Sequence, residues 1–400
     1  MLRALTRRFS FKGSSARTIL AAALLVAAAV PAVAQQGGEF TTKAKNAVLM
    51  DAASGAILFQ QAADELVPPA SMSKLMTLAV LFKALKDGKV KLEDELTTSE
   101  NAWRTGGAPS GTSAMFIPIN TKARIDEIIH GIIIQSGNDA CITVAEGLAG
   151  TEAAFAGQMQ DEARRIGLKT STFRNSTGLD HPEHRMTAHE LAILARYLIQ
   201  QYPEHYPIFS QREFQYRKHR FFNRNPLLAG GIGVDGLKTG HTVQAGFGIV
   251  VSAVSEGRRL IGVVMGLPDE TSRKEEGRRI LEWGFRSYAE FKLFEADEQI
   301  GHARVWGGSR MYVPLTGNGE LSVVLPRFPA NQKLKGEIVY EGPLKPPIKK
   351  GDQVARLRVT SSSNAVSETA LYASEDVGPG GVIRRGIDSL IYLAFRWAKL

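Results

Sequence analysis

The chain of 400 residues has one cysteine, Cys141. A single thiol excludes an intramolecular disulfide framework and any cysteine-rich metal site. Long apolar runs are also missing. The run 19–30 is short of the ~20 residues that span a bilayer, so a polytopic membrane protein is excluded. The 39 glycines and 17 prolines show no collagen-like period. A charged fraction of 22% beside 44% hydrophobic residues excludes a disordered chain. Acid is absent from the first 34 residues, which hold five bases (Arg3, Arg7, Arg8, Lys12, Arg17). The last 19 residues hold four bases against Asp388, so the body between keeps only +1 of the chain's +9. That near-neutral body removes the main reason to expect a nucleic-acid partner.

What is present begins with the leader. Basic residues, the apolar run 19–30 and the small-x-small site Ala32-Val33-Ala34 follow one another. This is the pattern of a secretory signal peptide, with cleavage expected near Ala34. Thr6-Arg7-Arg8 hints at twin-arginine export, but Ser10 fills a position usually apolar there, and both routes stay open. In the tail, 382–400, Ile383, Ile387, Leu390, Ile391, Ala394, Trp397 and Ala398 fall on one side of a helical wheel. Charges interrupt that run, so it reads as an amphipathic helix lying on an anionic membrane surface or packed on its own protein. Gly378-Pro379-Gly380-Gly381 before it reads as a linker.

Between the ends, 47–59 and 246–267 read as strand hairpins. Segments 71–87, 125–134, 138–148, 188–200 and 272–291 read as helices. Helices interleaved with hairpins predict an α+β domain on an antiparallel sheet, with a helical region inserted. Past about residue 297, short strand candidates separated by Gly and Pro turns predict a small all-β sandwich. The expected organisation is a leader over 1–34, a catalytic domain over 35–296, a β domain over 297–377, and a linker with anchoring helix over 378–400.

Three short motifs carry chemistry: Ser71-Met72-Ser73-Lys74, Ser136-Gly137-Asn138 and Lys238-Thr239-Gly240. Each alone is weak; their order, local structure and the export signal make them specific. An i, i+3 pair shares one helix face, so the Lys74 amine can reach the Ser71 hydroxyl. Serine needs an adjacent base, and lysine serves only if burial or nearby positive charge lowers its pKa. Lys238 is the candidate source of that charge. Standing alone, Ser71 would instead read as a helix N-cap. Ser136 could relay a proton, and the Asn138 carboxamide could hold a substrate amide. Lys238 and Thr239 would bind a carboxylate, with a peptide docked along the strand edge near Gly240.

These motifs, with the stretches IIIQSGNDAC (132–141), VDGLKTGHT (234–242), RLIGVVMG (259–266) and KGEIVYEGPLKPPIKKGDQV (335–354), resemble the serine-type D-alanyl-D-alanine carboxypeptidases among the low-molecular-mass penicillin-binding proteins. The resemblance runs along nearly the whole mature chain. It implies a penicillin-binding transpeptidase-like domain, a small β-sandwich domain, and a C-terminal amphipathic helix on the outer face of the inner membrane. By that resemblance Ser71 attacks the bond between two terminal D-alanines of a peptidoglycan stem peptide. Lys74 takes its proton, and Ser136 with Lys238 protonates the leaving D-Ala. The N–H groups of Ser71 and His241 form the oxyanion hole, Asn138 orients the acyl-side amide, and Arg224 joins Lys238 and Thr239 on the terminal carboxylate. β-Lactams would trap Ser71. No cofactor or metal is implied.

A DD-endopeptidase cutting crosslinks would use the same chemistry. A β-lactamase would need a deacylating glutamate, and no E-x-x-L-N pattern stands near Asp180 and Glu183. A purely binding or structural role fits poorly with three intact motifs. Gly231 to Thr239 resembles a phosphate loop with one residue too many. His181, His184 and His189 match no zinc spacing and read as a solvated loop and helix start. Residues 212–225 mix bases with Phe and Tyr, but alternation there marks a strand. Cys141 reads as a small buried hydrophobe.

Overall fold

The computed structural model describes residues 40–327, 333–360, 366–382 and 384–386. The expected leader, and residues 383 and 387–400 of the expected tail helix, lie outside the described residues. The chain forms two units, one over Phe40–Tyr288 and one from Ala289 onward.

In the first unit the order is β1 (Asn46–Asp51), β2 (Ile57–Gln61), α1 (Lys74–Lys86), β3 (Glu95–Thr97), β4 (Lys122–Arg124), α2 (Ile125–His130), α3 (Asn138–Ala149), α4 (Glu152–Ile166), α5 (Ala188–Gln201), β5 (Glu213–Tyr216), β6 (His219–Phe222), β7 (Val234–Thr242), β8 (Gly246–Ser255), β9 (Arg258–Leu267) and α6 (Glu270–Ser287). The expected hairpins form. β1 turns into β2 where Asp51 Oδ1 accepts from Ser54 N at 2.9 Å. β8 and β9 pair through the Ser255–Arg258 turn. Together they build a five-stranded antiparallel sheet in the order β2-β1-β9-β8-β7. β7 is therefore an edge strand with one side free.

Period-two alternation explains how the central strands serve two cores. Val48 and Met50 of β1, with Ile261, Val263 and Met265 of β9, join one buried cluster with Leu75, Leu78, Leu191 and Leu194 of α1 and α5. The alternate positions face α6. A Cβ on Gly262 would meet Ile280 Cγ2 at 3.1 Å, and one on Gly284 would meet Leu49 Cδ2 at 2.4 Å. A glycine on each element lets helix and sheet approach where a methyl group would not fit.

Three local readings change. The helix expected over 125–134 ends at His130 and widens into a π-type turn over Gly131–Gln135. The helix expected over 272–291 ends at Ser287. Tyr288 turns extended (φ −119°, ψ 150°), and Tyr288–Phe294 forms β10, paired with the later strand Leu321–Pro326. Aromatic residues favour strands, and this override by sheet pairing is not visible in helical periodicity. The helix α4 has no counterpart among the sequence-predicted helices. Its signals are a Thr151 cap accepting from Ala154 N and Gly167 at φ +93°. Residues 213–222 form the β5–β6 hairpin, two strands where the alternation marks one.

The second unit holds β10, β11 (Gly301–Arg304), β12 (Tyr312–Thr316), β13 (Leu321–Pro326), β14 (Lys335–Val339), β15 (Gln353–Thr360) and β16 (Val366–Ala373). A five-stranded sheet, β11-β12-β16-β15-β14, and the pair β10-β13 share a core that includes Val313, Leu315, Val323, Leu357 and Leu371. This is the expected all-β domain. Gly378 and Gly380, read as linker, hydrogen-bond to this unit: Ser309 N donates to Gly378 O and Gly380 N to Gly307 O. No helix among the described residues is long and apolar enough to cross a membrane.

Candidate active site

Ser71 lies in a short 3₁₀ turn, Ala70–Ser73, that leads into α1. No side chain caps the start of the turn or of the helix. The Ser71 Oγ instead accepts from Lys74 Nζ at 2.8 Å, so the serine is not a helix cap. Lys74, the first residue of α1, is fully buried and also donates to the Thr177 carbonyl at 2.5 Å. Burial lowers its pKa to about 8, and the Arg224 charge acts in the same direction.

β7 brings the third motif to the same place. Gly240 lies against the turn that carries Ser71: a Cβ there would meet Pro69 O at 3.0 Å and Met72 Cγ at 3.1 Å. Lys238 is buried and donates to the Thr239 carbonyl at 3.2 Å. Burial first, then the charges of Lys74 and Arg224, holds the Lys238 pKa well below the usual lysine range. The sequence reading assigns Lys238 the task of depressing Lys74. Desolvation is the larger cause at both, and the charge of Lys74 disfavours a second proton on Lys238.

The middle motif sits where α2 gives way to α3. Ser136 is left-handed (φ +64°, ψ 32°) after the π-type turn, a conformation that costs energy outside glycine and clusters at functional sites. The Ser136 Oγ and the Asn138 Oδ1 are buried without a hydrogen-bond partner. Asn138 Nδ2 donates to Thr112 Oγ1 at 2.9 Å. These orphaned groups suit a substrate that donates to the carboxamide oxygen and completes the serine's bonding.

A cleft of about 630 Å³ opens above these groups, lined by Ser71, Ser136, Arg224, Thr239, Gly240 and His241 among others. Lys74, Asn138 and Lys238 lie beneath its wall, buried. Arg224 Nη1 donates to Ser113 Oγ at 2.9 Å. His241 is exposed and stacks on Phe247 with centroids 3.8 Å apart. The structure thus brings every sequence-predicted site residue to one cleft or its floor.

Residues 31–269 match the family model described as D-alanyl-D-alanine carboxypeptidase, peptidase S11. The chain belongs to the D-alanyl-D-alanine carboxypeptidase family. Residues 288–379 match the C-terminal domain of penicillin-binding protein 5. The chain is 37% identical over 352 residues to the D-alanyl-D-alanine carboxypeptidase DacC of Escherichia coli (strain K12), covering 88% of each chain. It is 35% identical over 351 residues to DacA of Haemophilus influenzae, covering 87% of this chain and 88% of that one. The solved structure of penicillin binding protein 5 from Haemophilus influenzae superposes with a TM-score of 0.76, covering 85% of this chain and 99% of that chain. The two family models together cover 31–269 and 288–379 of this carboxypeptidase family member.

Several contributors escape the sequence reading. The Thr177 carbonyl carries no side-chain signal. Asp139, next to Asn138, is buried; its carboxylate accepts from Met115 N (2.8 Å), Ile117 N (3.0 Å) and Ala140 N (2.9 Å). It anchors the segment that bears Ser113. Arg273, on α6, lines the cleft but looks in sequence like any base on a charged helix. One reading is corrected: His184 is not in a solvated loop but buried, with its ring edge-on to Phe173. Burial lowers its pKa to about 4. Cys141 is buried as expected, and burial pushes its thiol up to about 12.

Proposed function

We propose that this carboxypeptidase removes the terminal D-alanine from peptidoglycan stem peptides through an acyl-enzyme on Ser71. The observation that carries the reading is the 2.8 Å contact between Lys74 Nζ and Ser71 Oγ, on the wall of a cleft shared with the 238–241 strand edge. Neutral Lys74 accepts the Ser71 proton as Oγ attacks the carbonyl of the penultimate D-alanine. The backbone N–H groups of Ser71 and His241 stabilise the developing oxyanion, and Asn138 Oδ1 receives an acyl-side amide. The proton held by Lys74 reaches the leaving amine by way of Ser136. Thr239, Lys238 and Arg224 receive the terminal carboxylate, whose arrival favours the charged form of Lys238. Water then hydrolyses the ester. A β-lactam, which presents an amide and a carboxylate, acylates Ser71 in the same way.

The mature enzyme in this reading starts after Ala34, lies on the outer face of the inner membrane, and holds its anionic lipid surface through 382–400. The tripartite leader and the amphipathic, basic tail support this. The exposed Val382, at 86%, begins the tail.

Incubation with a pentapeptide muropeptide, read by mass spectrometry, tests the activity. Loss of one terminal D-alanine is expected, and Ser71→Ala abolishes both that loss and penicillin labelling. An unchanged pentapeptide, or cleavage of crosslinked dimers alone, overturns the carboxypeptidase assignment. N-terminal sequencing of the mature protein tests the leader. Co-sedimentation with anionic phospholipid vesicles, with and without 382–400, tests the tail.

A further inference from the structure

The cleft holds more positive charge than the three motifs and Arg224 supply. Arg273, in the first turns of α6, keeps only 7% of its side chain exposed. Its guanidinium lies over the Phe247 ring, 5.5 Å from the centroid, and its buried Nε has no hydrogen-bond partner. Phe247 in turn stacks on His241, so packing ties Arg273 to the end of β7. A buried donor without an acceptor is destabilising, because it gives up its water without gaining a partner. In a cleft it suits an acceptor brought by a ligand.

Glu270 is the one acidic residue among the described residues lining this cleft, against Arg224, Arg273 and Lys274. Its Oε1 accepts from Arg273 Nη2 at 3.1 Å, while its own side chain is 75% exposed. It also acts on Arg224, which is crowded electrostatically. Desolvation where that guanidinium enters the cleft lowers the Arg224 pKa, Glu270 opposes this, and the Arg273 charge adds to it. The pairing has the form of a stand-in, an internal carboxylate set where cations await an external one. Exposed ion pairs contribute little, whereas hydrogen bonds from charged donors to an enclosed carboxylate are among the strong ones. The external carboxylate therefore wins the exchange.

We propose that Glu270 is a built-in counter-ion for Arg273 and Arg224, displaced when a ligand's carboxylate enters the cleft, so that Glu270 sets the affinity for carboxylate-ended leaving groups. Arg273 then joins Arg224 in holding that carboxylate. The proposal rests on the carboxypeptidase reading of the same cleft.

The full chain carrying Glu270→Gln tests it against a blocked L-Lys-D-Ala-D-Ala tripeptide and the same peptide ending in a carboxamide. KM for the acid-ended peptide falls about threefold, the scale of one exposed ion pair. Its kcat and the kinetics of the carboxamide stay as in the parent. Arg273→Ala raises KM for the acid-ended peptide and spares the carboxamide. An unchanged or raised KM in Glu270→Gln, or an equal change with both peptides, overturns the counter-ion. Equal losses with both peptides in Arg273→Ala reduce Arg273 to packing on Phe247 and overturn its part. If the parent releases neither D-alanine from the acid-ended peptide nor D-alaninamide from the carboxamide, the carboxypeptidase reading fails. Benzylpenicillin, which carries a carboxylate, then decides the counter-ion separately: faster labelling of Glu270→Gln supports it, and equal or slower labelling overturns it.

Discussion

Gly178 lies so close to Ala70 that a Cβ on the glycine would meet the Ala70 carbonyl oxygen at 2.1 Å and Ser73 Oγ at 2.5 Å. Ala70 has φ +48°, and it immediately precedes Ser71. The turn that aims the nucleophile is thus held in a strained conformation by a backbone that tolerates only glycine. Gly178 itself has φ +77°, which costs an L-residue roughly 1–2 kcal/mol before any overlap. Gly178→Ala is expected to lower Tm by about 4–8 °C for ~2 kcal/mol in a unit of this size. Displacement of Ser71 slows penicillin labelling by about tenfold or more. Thermal unfolding and a labelling time course check the two effects, and an unchanged labelling rate sinks the positioning argument.

The lowered Lys74 pKa, about 8, sets a pH profile for acylation. Neutral Lys74 is the base, so its fraction falls about tenfold for each pH unit well below 8 and levels off above it. The rate of benzylpenicillin labelling should rise with pH and reach a plateau past about 8. Lys74→Ala should reduce that rate by about 10²–10⁴-fold, the range for a positioned base. A flat profile between pH 6 and 9, as an approximate window around that pKa, would show that another group takes the proton.

Asp139 joins three backbone N–H groups of two segments through one buried carboxylate. Asp139→Ala leaves those donors without a partner and opens a void, a loss of about 3 kcal/mol. Urea unfolding should show that loss as a lower midpoint. Penicillin labelling should weaken with it, since Met115 and Ile117 position the strand of chain that leads from Ser113. Equal stability of parent and variant would mean that water replaces the carboxylate fully.

His184 makes stability depend on acid. Its native pKa, lowered by burial to about 4, lies below the ordinary 6.5. The unfolded chain therefore binds the extra proton first. A contribution of about 3 kcal/mol is present above pH 6.5 and is lost as pH falls through the window toward 4. His184→Asn keeps an acceptor near the position of Nδ1, which receives the Arg174 N–H at 3.4 Å, but cannot titrate. Urea unfolding at pH 7 and pH 5, as approximate points on that curve, should show a smaller difference in the variant. An equal difference would place the acid sensitivity elsewhere.

Much of this molecule is local in origin and therefore legible. Short apolar runs about turn residues mark the hairpins of β1–β2 and β8–β9, and 3.6-residue apolar periodicity marks α1, α3 and α5. The i, i+3 spacing of Ser71 and Lys74 is enough to bring amine and hydroxyl together. The misreadings arise where long-range pairing overrides local preference. Residues 288–291 continue a helical pattern in sequence, yet the strand Tyr288–Phe294 that holds them pairs with β13. His184 looks like a residue of a polar loop, and only its packing beside Phe173 buries it.

The sequence by itself determined the motif set, the serine–lysine pair, the two-domain order and the family. Tertiary structure alone decided the electrostatics. Lys74 meets the Thr177 carbonyl across 103 positions of chain, and Lys238 titrates in the field of Lys74 and Arg224. Arg273 and Glu270 enter the cleft from a helix without a motif. The reason is physical: a pKa depends on how much water the surrounding chain removes and which charges it brings within a few ångströms. Neither quantity is a property of local spacing.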